Sequence, residues 1–151
     1  MGQLKNKTAI ITGGGTGIGK GIALAFAREG ARLTIASRNR SNLDQTAGEL
    51  RELGAEVLVV TVDVSNEQQV AYLFPEGVAF LGKLDILVNN SGIFEKGPID
   101  ELSFESWKRV IDVNLNGPFL CTREAMRIMK KQKQYKQCLL NTNPSPREST
   151  L

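Results

Sequence analysis

The sequence contains no histidine. Ser-His-Asp and Cys-His nucleophilic catalysis and His-ligated zinc chemistry are thereby excluded, because each needs an imidazole as base or ligand. Cysteine is scarce: Cys121 and Cys138 are the two in the chain. Two thiols are too few for a disulfide framework or a metal cluster, so they read as structural and no metal is expected. No apolar run approaches the roughly 20 residues that a bilayer-crossing helix needs. Met1-Gly2-Gln3-Leu4-Lys5 leads into a polar stretch rather than an apolar signal segment. No membrane partner and a cytoplasmic location are therefore expected. Aromatic residues are also few, at 6%, and this bears on the net charge of +3. Met1 to Leu120 carry 12 Lys and Arg against 14 Asp and Glu, whereas Cys121 onward carries 7 basic residues against 2 acidic ones. The basicity belongs to the tail, where Tyr135 is the sole aromatic platform, so no nucleic-acid partner is expected.

What is present is the composition of one soluble globular domain, 41% hydrophobic and 23% charged over 151 residues. Short β-branched runs alternate with helical patterns up to about residue 130, the signature of βαβ units around a parallel sheet. Thr8–Thr12, Arg32–Ala36, Val57–Val62 and Asp85–Asn89 read as four strands. Ile18, Ile22, Ala25 and Phe26, and then Leu43, Ala47, Leu50 and Leu53, supply apolar stripes for the first two crossover helices. Gly30 and Gly54 stand where helix C-caps belong. Ser65, with Gln68 three residues on, predicts the start of a third helix toward Leu81, and Pro75 predicts a kink or break inside it. Leu102 to about Leu115, opened by Ser103, and Pro118 to about Lys131 predict two more helices. After Lys131 the pattern degrades into a polar stretch, and Asn141-Thr142-Asn143-Pro144-Ser145-Pro146 can continue neither a helix nor a central strand.

The chemistry concentrates after the first strand. Thr12-Gly13-Gly14-Gly15-Thr16-Gly17-Ile18-Gly19 runs straight into a helix. Glycines are needed in such a turn so that the backbone can turn tightly, let a pyrophosphate approach its N–H groups and pack the helix close to the strand. Gly13, Gly17 and Gly19 give the spacing Gly-x-x-x-Gly-x-Gly. The stretch Gly14 to Lys20 also fits the start of a triphosphate-binding P-loop, but Gly21 follows where a magnesium-binding Ser or Thr is required, which argues against triphosphate hydrolysis. The second strand ends Ala36-Ser37-Arg38-Asn39-Arg40, without the carboxylate that binds the ribose hydroxyls of NAD. Arg38, with Arg40 near it, can pair with a 2′-phosphate, so NADP is expected ahead of NAD.

Together with Asp63-Val64 after the third strand, Asn89-Asn90-Ser91-Gly92 after the fourth, and Asn114, this glycine turn resembles the short-chain dehydrogenase/reductase family, in register from about Leu4 to Lys131. Ser91 replaces the family's usual Ala. Asn-Lys-Thr-Ala-Ile-Ile-Thr-Gly-Gly-Gly is similar to 3-oxoacyl-carrier-protein reductase-like and sugar or alcohol dehydrogenase-like members. The resemblance implies a Rossmann-type doubly wound α/β parallel sheet over residues 4–131 with a divergent polar tail over 132–151. It implies that Gly13, Gly15, Thr16, Gly17, Ile18, Gly19, Ser37, Arg38, Asp63, Val64, Asn90, Ser91 and Gly92 hold the cofactor. Asp63 and Val64 would border the adenine, and Asn90 to Gly92 the nicotinamide side. Asn114 would belong to a catalytic tetrad with Ser, Tyr and Lys, acting on a small-molecule carbonyl or alcohol substrate.

The other three members of that tetrad cannot be placed. Tyr135 is followed four residues later by Leu139 and lies too close to Asn114. Leu139-Leu140-Asn141 is a weak echo of the family's fifth strand, but Pro144 then stands where its Ser would follow. The sequence thus reads as a C-terminally truncated or frameshifted member, an incomplete sheet of strands one to four, and inactive alone. An open edge on the fourth strand, beside helix faces bearing Phe104, Trp107, Ile111, Met126 and Met129, predicts a homo-oligomer through the two helices from Leu102 to Lys131.

Overall fold

The computed structural model of the chain describes residues 2–132 and 138–141. Five parallel strands, β1 (Thr8–Thr12), β2 (Arg32–Ser37), β3 (Val57–Thr61), β4 (Ile86–Asn89) and β5 (Cys138–Asn141), form one sheet in the order β3-β2-β1-β4-β5. Five α-helices connect or follow them: α1 (Gly17–Arg28), α2 (Arg40–Glu52), α3 (Glu67–Leu81), α4 (Phe104–Ile111) and α5 (Gly117–Lys131). The parallel sheet expected from the alternating pattern is present, in the Rossmann-type doubly wound architecture that the resemblance implies.

Side-chain alternation along the strands fills both faces. On β1, Ala9 and Ile11 pack with Leu33, Ile35, Leu43, Ala47 and Leu50 beneath α1 and α2. Ile10 faces the other way, into Leu73, Phe74, Leu87, Ala125 and Met129 of the layer formed with α3 and α5. A strand covered on both faces is apolar at every position, which is why all five residues of β1 are buried. Glycines in left-handed conformation, Gly30 at φ 86° and Gly54 at φ 82°, stop α1 and α2 where the sequence placed their ends.

Several local expectations are corrected. Asn66, not Ser65, caps α3 by accepting from the Gln69 amide at 3.0 Å, while the Ser65 hydroxyl and amide turn back to the Asp63 carboxylate. Helix α3 runs unbroken through Pro75. Pro75 and the carbonyl-bearing Ala71 four residues before it are both exposed, so water can satisfy the carbonyl that the ring deprives of a donor. The two helices expected over 102–131 are one continuous rod: Ser103 caps α4, and the π turn Asp112–Asn116 carries it directly into α5.

The edge of β4 is not open. Strand β5 pairs with it in register Ile86↔Cys138 to Asn89↔Asn141. Just before β4, the Gln132 side chain accepts from the Leu84 amide at 2.8 Å and donates to the Leu84 carbonyl at 2.9 Å, closing the rod's C-terminal end onto the strand. Met129, expected on the surface, is buried in the α5 layer, and Ile111 and Met126 are half-buried. Phe104, Leu115, Phe119 and Trp107 do remain exposed, at 79%, 63%, 61% and 48%. No helix among the described residues is long and apolar enough to cross a membrane.

Candidate functional site

After β1 the chain moves outward to β2 and β3 on one side, and then returns to place β4 on the other side of β1. Loops leaving the C-terminal ends of β1 and β4 therefore diverge, and ligands of open parallel sheets bind in the crevice such a reversal opens. Here the crevice is a cleft of about 420 Å³. Of the residues singled out in the sequence, Gly13, Gly15, Thr16, Gly17, Ile18, Ser37, Arg38, Asp63, Val64, Asn90, Ser91 and Gly92 all line it. Gly19 and Asn114 do not.

Both outliers support the walls from behind. The carbonyl of Gly13 lies 2.2 Å, and the Asn90 side-chain nitrogen 2.3 Å, from where a Cβ on Gly19 would sit. No side chain fits, so α1 can approach the β1–β4 junction only with glycine there. Gly13 itself turns through φ 66°. Its carbonyl accepts from the Asn90 side chain at 3.1 Å and its amide donates to the Ala36 carbonyl at 2.7 Å. The Asn114 side chain accepts from the Ile93 amide and donates to the Ile93 carbonyl, both at 2.8 Å. It thus pins the loop after β4 to the π turn, a helix irregularity that is frequent at functional sites.

The phosphate end is built from backbone. Thr16 stands at the N-cap of α1 without a side-chain cap bond, and Thr16, Gly17 and Ile18 are exposed to the cleft. The first amides of a helix have no intrahelical acceptor, and they carry the positive end of its dipole. Toward the outer end, Arg38 reaches the cleft and makes no ion pair among the described residues, whereas Arg40 is held by Asp44 at 2.9 Å on the same helix. Asp63, at the end of β3, is the sole carboxylate in the lining, and its Oδ1 is engaged by Ser65.

Five lining residues escaped the sequence reading: Asn39, Asn42, Val62, Ile93 and Val113. Asn39 had a signal, since its side chain caps α2 by accepting from the Asn42 amide at 3.0 Å, the spacing of an Asx cap three residues before its donor. Val62 and Val113 had none, because an apolar residue at a strand end or on a helix reads as core. Cys121 is buried, with its thiol pushed up to about 12 by burial first and by the Glu124 charge second, so it stays protonated and unreactive.

Two alanine substitutions on the same helix should have opposite signs. Gly19→Ala inserts a methyl into the β1–β4 junction and should cost about 1–3 kcal/mol by urea unfolding, with deformation of the glycine loop. Gly21→Ala, where nothing lies within 4 Å of the added carbon, should stabilise the chain by about 0.5–1 kcal/mol through helix propensity. Equal effects from the two would contradict the packing described.

Comparison with known proteins agrees with this architecture. The short chain dehydrogenase family profile matches residues 7–136. A short chain dehydrogenase/reductase of Macrophomina phaseolina, dpmpG, is 39% identical over 141 residues, which cover 92% of this chain and 81% of that protein. The chain spans about half the length of other curated relatives at similar identity. Among solved structures, a short-chain type dehydrogenase/reductase from Mycobacterium marinum superposes with a TM-score of 0.88 at 34% identity, over 91% of this chain and 56% of that one. An NAD+-bound xylitol dehydrogenase gives the same TM-score of 0.88 at 28% identity, over 92% of this chain and 53% of that one. With the glycine loop, the reversal of strand order and a family match spanning most of its length, the chain belongs to the short-chain dehydrogenase family of oxidoreductases.

Proposed function

We propose that the cleft binds a nicotinamide dinucleotide, NADP ahead of NAD, and that residues 4–131 are the cofactor-binding part of an oxidoreductase acting on a carbonyl or alcohol. The observation that carries the NADP preference is Arg38: it lines the cleft at the end of β2, where the sequence carries no carboxylate, and it makes no ion pair among the described residues. The donors suit such a ligand. Uncapped amides at the start of α1 match a pyrophosphate, and the loop's glycines let its backbone lie against Asn90, Ile35 and Asn42, where a Cβ would crowd. Such a dinucleotide, when bound, supplies hydride transfer to or from a carbonyl or alcohol carbon. In this reading Gly13, Gly15, Thr16, Gly17 and Ile18 bind the pyrophosphate with Gly19 packed behind them, while Ser37 and Arg38 hold the 2′-phosphate. Asp63 and Val64 border the adenine, and Asn90, Ser91 and Gly92 form the nicotinamide side. Asn114 keeps its family role in the catalytic tetrad by carry-over from the resemblance, and its grip on the Ile93 backbone holds the loop that contains that side of the cleft. The NAD+ in the xylitol dehydrogenase neighbour is the same class of ligand.

The substrate of the reaction is a small carbonyl or alcohol compound, and turnover is a separate matter from binding. Neither tyrosine in the sequence is followed four residues later by lysine: Tyr72 leads to Glu76, and Tyr135, outside the described residues, to Leu139. The 151-residue chain alone is therefore a dinucleotide-binding module without activity. Association with a second copy is part of the same proposal, because α4 buries none of its residues and Phe104, Trp107, Leu115 and Phe119 are all exposed along the rod.

Three measurements bear on these readings. Arg38→Asp should weaken NADPH binding by roughly ten- to hundredfold, the loss of a hydrogen bond between charged groups and its replacement by repulsion, and should make NADH the preferred ligand. Arg40→Ala should leave the ratio unchanged, and equal affinities of the unmodified chain for both cofactors would remove the preference. In a spectrophotometric assay the purified chain should show no carbonyl-dependent NADPH oxidation, since a general acid is worth about 10²–10⁴-fold and positioning more; sustained oxidation lost on changing Asn114 would refute this. Sedimentation should give a dimer or larger species that Trp107→Glu dissociates, and a compact monomer at working concentrations would end the association proposal.

A further inference from the structure

The apolar stripe of α2 is interrupted at one position. Leu43, Ala47 and Leu50 are fully buried under the sheet, and between them, at the same helical face, stands Thr46, 1% exposed. A hydroxyl in that setting needs a partner. Its Oγ1 donates to the carbonyl of Gly15, in the middle of the glycine loop, at 2.9 Å. Gly15 is pressed against the first turn of α2 by packing as well: a Cβ there would lie 3.2 Å from the Asn42 Cβ and 3.3 Å from the Leu43 nitrogen.

We propose that Thr46 is a positioning residue for pyrophosphate binding: by holding the Gly15 carbonyl against α2, it turns the Thr16 amide toward the cleft. The reasoning is geometric. A peptide unit is planar and trans, so its carbonyl and its N–H point in opposite directions, and no cis peptide occurs among the described residues. The Gly15–Thr16 peptide is the one whose oxygen Thr46 holds, and the N–H on its other side belongs to Thr16, which lines the cleft at the N-terminus of α1. Released, this glycine-rich peptide can rotate, and a carbonyl turned to the cleft would repel the same anion that the amide attracts. The neighbouring carbonyl of Gly13 is held out of the way similarly, by the Asn90 side chain. Thr46 itself does not line the cleft and acts on it through Gly15. Its effect is confined to the pyrophosphate end and does not extend to Arg38.

This inference rests on the dinucleotide reading above, and its test separates the two. ADP carries the pyrophosphate without a 2′-phosphate, and adenosine 2′-monophosphate the reverse. By calorimetric titration, Thr46→Val should weaken ADP binding about tenfold, the scale of one hydrogen bond to a charged group. It should leave adenosine 2′-monophosphate binding and the NADPH to NADH ratio unchanged, and Thr46→Ser should restore ADP affinity. A role in stability alone would instead shift both probes together, or neither. In the unmodified chain, which needs no variant to fold, the Thr16 backbone amide resonance should move on titration with ADP and stay in place with adenosine 2′-monophosphate. Normal ADP binding by Thr46→Val, no rescue by serine, or a Thr16 amide indifferent to ADP overturns the role of Thr46 alone. Failure of the unmodified chain to bind ADP overturns the dinucleotide reading and this inference with it.

Discussion

The hydroxyl of Thr12 holds together the two chain segments on which the whole site depends. It stands at the last position of β1 and is buried, donates to the Val88 carbonyl on β4 at 3.4 Å, and accepts from the amides of Asn90 and Ser91 at 3.1 and 3.2 Å. Those two amides lie just beyond β4, and the Thr12 hydroxyl ties both of them to the end of β1. One side chain thereby closes the seam at the point where the strand order reverses. Asn90 then returns the favour across the seam by donating to Gly13. The cleft exists because β1 and β4 are parallel neighbours whose loops must part. It keeps its shape because the parting is stitched by hydroxyl and amide groups, not left to the backbone.

The same economy governs the long rod from Phe104 to Lys131. It is fastened to β4 at three heights by side chains that pair with polar groups: Asn114 on the Ile93 backbone, Thr122 with Asn89, and Gln132 on the Leu84 backbone. Asn114 and Gln132 each use a carboxamide, whose adjacent donor and acceptor copy the edge of a strand. Between these fastenings, Cys121, Ala125 and Met129 fill the apolar layer over the sheet. Downstream of Gln132, β5 joins the sheet beside β4, whose outward-facing groups at Leu84 are already taken by that glutamine.

Other side chains along the rod are engaged in ion pairs. Lys108, Arg109, Arg123 and Arg127 form ion pairs with nearby acids, among them Arg109 with Glu95 and Arg123 with Glu67. The bonded Glu67 carboxylate raises the Arg123 guanidinium above its usual range. Exposed pairs of this kind contribute little to stability, with a typical worth of about 0–1 kcal/mol. Phe104, Trp107, Leu115 and Phe119 remain exposed along the same rod.

The sequence by itself determined the order of strands and helices, the helix ends at Gly30 and Gly54, the glycine loop and the residues that line the cleft near it, because these follow from short-range rules: alternation along a strand, periodicity along a helix, and the few residue types able to turn tightly. It misplaced features that depend on what lies opposite. Pro75 was tolerated because its face of α3 meets water. Ser65 lost the cap to Asn66 because Asp63 claimed its hydroxyl. Met129 is buried because the rod lies across the sheet, and the edge of β4 is covered because four residues from beyond Gln132 return to pair with it. Thr46 shows the division most sharply. In the sequence it is a polar residue in an apolar stripe; only the folded chain, by bringing α2 against the loop after β1, places a carbonyl 2.9 Å from its hydroxyl. Contacts between residues 31 apart in sequence are decided by packing in three dimensions, where local propensity carries no information about the partner.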